Sequence, residues 1–164
     1  MSSRFSVGTN HCLFLSVVLY TLFVGWFSWQ NYPIGETRSV ENDFFAWYVP
    51  NAEKITHGHF FELKEYRYNP PGYSIVLALV GALTRDLFVA GKAISLLAAA
   101  LALFALYSML EKMLPRDLVC WAVLATAANP WFIHSSYYVG TDMLFMALSC
   151  LTMSILLSPR LYRE

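Results

Sequence analysis

The side chains of this sequence best placed for chemistry are two carboxylates at the edges of apolar runs. Asp43 precedes Phe44-Phe-Ala-Trp-Tyr48, with Glu41 two residues earlier. Asp142 stands where the apolar run 143–157 begins, behind Thr141 as a suitable helix cap. Carboxylates on one membrane face can act as base and electrostatic partner, or bind a divalent ion between them. Their plainer role is structural: an acidic side chain at a helix start complements the macrodipole and accepts from free amides. An unpaired aspartate in the middle of a membrane helix costs about 2.5–3.5 kcal/mol, and much less at its mouth, where Asp142 falls.

A second group of residues is cationic and aromatic. Lys64 and Arg67 lie among Tyr66, Tyr68 and Tyr73, just before Pro70-Pro71. Such a belt grips lipid headgroups. The same guanidinium and ammonium groups also suit the phosphate of a lipid-linked donor. His134 fits a hydrogen-bonded interface residue better than an acid–base catalyst. Cys12, Cys120 and Cys150 are an odd number inside apolar runs, with no CxxC or His/Cys spacing. They read as small buried hydrophobes, not as a disulfide or zinc framework.

The elements that must position these groups follow from composition. Hydrophobic residues make up 57% of the 164 and charged residues 13%, against about 25% charged in a soluble domain. So few polar residues cannot cover a soluble exterior. The expectation is a single all-α integral membrane domain over residues 1–164. A net charge of zero gives no sign of a nucleic-acid partner.

Four spans are expected, at residues 12–29, 88–110, 118–133 and 143–157. The first carries no charge and ends in Trp26 and Trp29, an interfacial aromatic pair and no small-residue cleavage site. Lys92, the one charge in the second, is expected to snorkel to the headgroups. The third and fourth are short and need tilt or local thinning. Residues 72–84 reach only about 20 Å against a core of about 30 Å, so they are read as interfacial or re-entrant. Phe44, Tyr48, Ala52 and Ile55 recur at helical spacing and predict an interfacial helix, kinked or restarted at Pro50 and stopped at Gly58. Arg4, Lys112, Arg116, Arg160 and Arg163 fall on one side, which places both termini in the cytoplasm. Residues 30–87 and 135–141 then face outward.

The order of these features resembles the start of a GT-C-fold glycosyltransferase of the protein mannosyltransferase and aminoarabinose-transferase branch. The resemblance runs from Arg38 to Leu157. It is carried by Asp43 with Phe44-Phe-Ala-Trp-Tyr-Val-Pro-Asn-Ala52, His57-Gly-His59, Tyr68-Asn-Pro-Pro-Gly-Tyr73, Asn129-Pro130 and Gly140-Thr-Asp142. It implies transfer of a sugar from a polyprenyl-phosphate donor to an acceptor at the outer face, in the inner membrane if the chain is bacterial. Asp43 matches the essential acidic residue of the first outer loop, as base or metal ligand, with Glu41 the less favoured alternative. Asp142 occupies the place of a second, assisting acid. Some branches have a lysine directly before the paired prolines; here it is Asn69, which moves the phosphate contact to Arg67 or Lys64, beside Tyr68. No cofactor is implied beyond a divalent metal held by Asp43 and Asp142. Family members are several times longer and have more spans. The chain is therefore expected to be an N-terminal part, to need a second chain for the missing spans, or to lack activity alone. The competing expectation is a non-catalytic membrane subunit or scaffold whose acidic residues only cap helices.

Overall fold

The computed structural model describes residues 7–30, 43–59 and 70–158, with residues 7–13 described in backbone alone. Of the described residues, 84% are helical and none forms a strand. The elements are α1 (Val7–Gln30), a π-helical turn π1 (Phe44–Tyr48), α2 (Val49–Thr56), α3 (Gly72–Thr84), α4 (Leu87–Leu110), α5 (Arg116–Ala127), α6 (Pro130–Tyr137) and α7 (Asp142–Leu156).

Helix α4 is the mast on which the others lean. Its 24 residues extend about 36 Å, and it is long and apolar enough to cross a membrane. Asp86 starts it: Oδ1 accepts from the amides of Phe88 at 2.8 Å and Val89 at 3.1 Å. Ala98, Ala99 and Ala102 are buried along it, and residues this small let neighbouring backbones approach closely. They form one core with Val17 of α1, Val119 and Val123 of α5, and Met143 and Ala147 of α7.

Contacts along α4 give the directions of its neighbours. Gly25 meets Leu96, whereas Phe14 lies 6.1 Å from Phe104, so α1 runs antiparallel to α4. Val139, just before α7, meets Gly91, and Ser154 near its end bonds Ser108, so α7 runs parallel to α4. The outward surface stays apolar: Leu22 of α1 is 64% exposed, Leu83 of α3 85%, Trp121 of α5 71% and Phe145 of α7 73%.

Three expectations are corrected. Residues 118–133 do not form one helix. The helix stops at Ala127, because Pro130 lacks an amide and Asn129 Oδ1 caps a new helix at Trp131 N, 2.8 Å away. Helices α6 and α7 then meet at a bend of 111°. Lys92 does not reach outward. It is 9% exposed, and Nζ donates to the Ser28 carbonyl at 3.3 Å while lying 5.1 Å from the centroid of the Phe88 ring. Thr141 makes no side-chain capping bond; its backbone is already helical, where an N-cap is normally extended.

The helical stripe before Gly58 forms as expected, with Phe44, Ala52 and Ile55 buried. Pro50 is accommodated by the π-turn before it, in which the Val49 amide donates to the Phe44 carbonyl. A proline ring would clash with the carbonyl one α-turn earlier, and the wider turn relieves this. Gly58, at φ 81°, ends α2 in a conformation that other residues rarely adopt.

Candidate functional site

Asp43 is exposed at the head of π1, and its carboxylate makes no capping hydrogen bond. The next residue, Phe44, is 1% exposed and anchors the turn. Its ring stands edge-on to Phe45 at 5.1 Å, to Phe88 of α4 at 6.4 Å and to Tyr73 of α3 at 6.5 Å. Tyr48, one turn on, packs edge-on to Tyr73 at 4.9 Å. Edge-to-face pairs of this kind add to area burial and fix ring orientation. An exposed carboxylate thus sits directly on a rigid aromatic cluster.

Gly91 joins this cluster to the second aspartate. A methyl group at Gly91 would lie 2.8 Å from Phe44 Cε2 and 2.9 Å from Val139 Cγ1. The absence of a side chain therefore lets π1 and the turn before α7 meet on one face of α4. Val139 is 2% exposed, and three residues later Asp142 opens α7, exposed to solvent. One point in the second turn of α4 thus fixes the elements that carry both aspartates, and both stand toward the same end of α4.

Asp142 lines a groove of ≈ 310 Å³ between α5, α6 and α7, with Asn129, Trp131 and Ser135 among its walls. A smaller cavity of ≈ 150 Å³ lies between α1 and α4, where Lys92 faces Ser28, Ser136 and Tyr137. Sequence reasoning singled out Asn129-Pro130 but did not weigh Trp131 or Ser135, and it sent Lys92 the wrong way. The signal for Trp131 was its position one residue after a helix-starting Asn-Pro. The inward turn of Lys92 depends on a carbonyl from another helix and has no local signal.

Glu41, Lys64, Arg67, Tyr68 and Asn69 lie outside the described residues. Among the described residues no three His, Cys, Asp or Glu side chains cluster as a metal site. Asp43 and Asp142 would supply at most two protein ligands, a number suited to a Mg²⁺-like ion completed by water and phosphate oxygens. His134 packs in an aromatic group, 4.6 Å from Tyr138, 5.5 Å from Tyr137 and 6.2 Å from Trp131. Cys120 and Cys150 are free, half-buried thiols. No protein-family model, curated protein or solved structure matches this chain.

Proposed function

We propose that the chain is the N-terminal part of an integral membrane glycosyltransferase of the GT-C type, transferring a sugar from a polyprenyl-phosphate donor at the outer membrane face. The observation that carries the reading is Asp43: an exposed carboxylate, free of capping duty, held by the Phe44–Gly91–Val139 joint beside the turn into Asp142. In this reaction the acceptor hydroxyl attacks the anomeric carbon and the bond from that carbon to the phosphate oxygen breaks. Polyprenyl phosphate leaves with the electron pair, and Asp43 takes the hydroxyl proton. Asp142 supports the site electrostatically. Lys64 or Arg67 neutralises the leaving phosphate.

The membrane reading is supported by the apolar exterior of α1, α3, α5 and α7 and by the directions of the helices, α1 antiparallel and α7 parallel to α4. In this topology α1, α4 and α7 cross the bilayer, and α5 with α6 returns as a crossing broken at Asn129-Pro130. Helices α2 and α3 then lie at the outer face. A cysteine replacing Thr56, exposed at the end of α2, should react with an impermeant reagent in intact cells. One replacing Met113, 65% exposed between α4 and α5, should react only after permeabilisation. With the native cysteines replaced, the reverse pattern would invert the topology and remove Asp43 from the outer face.

The scaffold reading keeps one observation in its favour. Asp142 lies in the first turn of α7, where a negative charge complements the helix dipole. Transfer from a polyprenyl-phosphate sugar, measured in membranes carrying the chain in its full coding context, separates the two. Asp43→Asn should lower the rate by about 10² or more if the carboxylate is the base, and should leave it unchanged in a scaffold.

A further inference from the structure

We infer that the groove between α5, α6 and α7 binds one sugar ring, with the indole of Trp131 as its platform and Asp142 as acceptor for ring hydroxyls. Its ≈ 310 Å³ is at the small end of ligand sites and suits a monosaccharide. A sugar ring presents a C–H face surrounded by hydroxyls that both donate and accept, and the groove offers a counterpart to each.

Trp131 is 78% exposed, although its backbone is held firmly. Asn129 Oδ1 accepts from Trp131 N at 2.8 Å and Phe132 N at 3.4 Å, which sets the first turn of α6 from which the indole projects. The nearby His134 ring meets the indole at 75° with centroids 6.2 Å apart, an edge-to-face contact and not a parallel stack. An electron-rich aromatic face packs well against polarised C–H groups. Spending Oδ1 on the cap leaves the Asn129 amide nitrogen as a donor. Thr126 Oγ1 donates to the Ala122 carbonyl at 2.9 Å, which leaves its oxygen as an acceptor toward the groove. Ser135 supplies a hydroxyl of either sense, and Asp142 is an acceptor alone.

Other occupants fit less well. Among the described residues no basic side chain lines the groove, so none of them offers a phosphate a counter-charge. A prenyl or acyl chain would desolvate Asp142 and Asn129 with nothing in exchange. A sugar satisfies them and covers the indole. The inference rests on the glycosyltransferase reading only for what the sugar is attached to.

The test is saturation-transfer NMR on the full chain in lipid nanodiscs, with the methyl glycosides of mannose, glucose, galactose and arabinose as probes. At least one probe should receive saturation at its ring C–H protons. Trp131→Ala should weaken that binding about tenfold, the size of an aromatic contact. Trp131→Phe, which keeps a flat face, should retain most of it and guards against misfolding of the alanine variant. Asp142→Asn should weaken it about tenfold through the lost charged acceptor. Saturation of none of the probes, or saturation that both Trp131→Ala and Asp142→Asn leave intact, overturns the site. Asp43→Asn separates the two ideas. If it abolishes transfer while no probe is saturated, the enzyme reading stands and the groove falls. If probes bind at Trp131 while Asp43→Asn transfers at full rate, the groove stands and the proposed role of Asp43 falls.

Discussion

Two sets of polar groups, one at each end of the parallel pair α4 and α7, are treated in opposite ways. At the C-terminal end the polar groups bond to one another: Ser108 Oγ lies 3.0 Å from Ser154 Oγ, and Lys112 Nζ donates to the Ser154 hydroxyl at 3.1 Å and to its carbonyl. At the other end, Asp43 and Asp142 are exposed, and neither π1 nor α7 has a side-chain cap at its start. The fold bonds the first set together and does not use Asp43 as a cap. Polar groups in apolar surroundings are expensive. Those left without such bonds are therefore the ones to examine for chemistry, and here the elements that carry them meet at the Phe44–Gly91–Val139 joint.

The largest expected effect tests whether Asp43 is unused by the fold. Asp43→Asn should lower sugar transfer by about 10² or more. Because the carboxylate makes no capping bond, Asp43→Ala should change thermal stability by no more than about 0.5 kcal/mol, as for a surface change away from special features. Loss of about 1 kcal/mol with transfer intact would be the signature of a cap and would erase the contrast between the two ends. Full activity in Asp43→Asn passes the base role to Glu41, and full activity in the Glu41→Gln/Asp43→Asn double variant ends the enzyme reading of this loop.

Next in size is the joint itself. Gly91→Ala pushes a methyl group to within 2.8 Å of Phe44 and 2.9 Å of Val139, both buried. Overpacking of this kind costs about 1–3 kcal/mol, measurable as a lowered Tm in detergent. It should depress transfer as well, because it separates the elements that carry Asp43 and Asp142. Gly140→Ala is the control: nothing lies within 4 Å of its added methyl, so stability should hold. If Gly91→Ala lowers Tm while transfer per folded molecule is unchanged, the joint is packing alone and does not align the carboxylates.

How much of this was legible in the sequence divides along the line between local and tertiary causes. Helix α3 has the expected bounds, Gly72–Thr84, because paired prolines open it and Arg85-Asp86 closes it. Helix α4 begins one residue before its expected start, at Leu87, since Asp86 caps it. The stripe through Phe44, Ala52 and Ile55 was readable from spacing, and so were Asp43 and Asp142 as the acids to watch. The break at Asn129 carried a local signal, an Asn-Pro helix start, that apolar content across residues 118–133 concealed. Gly91 and Lys92 carried none. One matters because two distant segments meet on it, the other because a carbonyl of α1 and the Phe88 ring draw it inward. Aspartates could be chosen by type and flanks, but the joint between them could not.

The smallest expected effect lies at the other end of the pair. Ser154→Ala removes the 3.0 Å contact to Ser108 and the 3.1 Å bond from Lys112, while the backbone carbonyl of residue 154 still accepts from Lys112. Ser154 is 6% exposed, so water does not replace the lost hydroxyl. A hydrogen bond between membrane helices is worth about 0.6 kcal/mol on average, so the loss should stay near or below about 1 kcal/mol. A cycle of Ser108→Ala, Ser154→Ala and the double variant isolates the pair, and its coupling should be about 0.5 kcal/mol with transfer unchanged in all three. Stability is the only quantity that should move, because these groups bond to each other and none of them lines the groove at Asp142. If transfer instead falls by more than about threefold in Ser154→Ala without a matching loss of folded protein, beyond what a loss of about 0.6 kcal/mol of binding would give, the two ends communicate. The division between polar groups that hold the fold and polar groups that do chemistry would then have to be abandoned for this pair of helices.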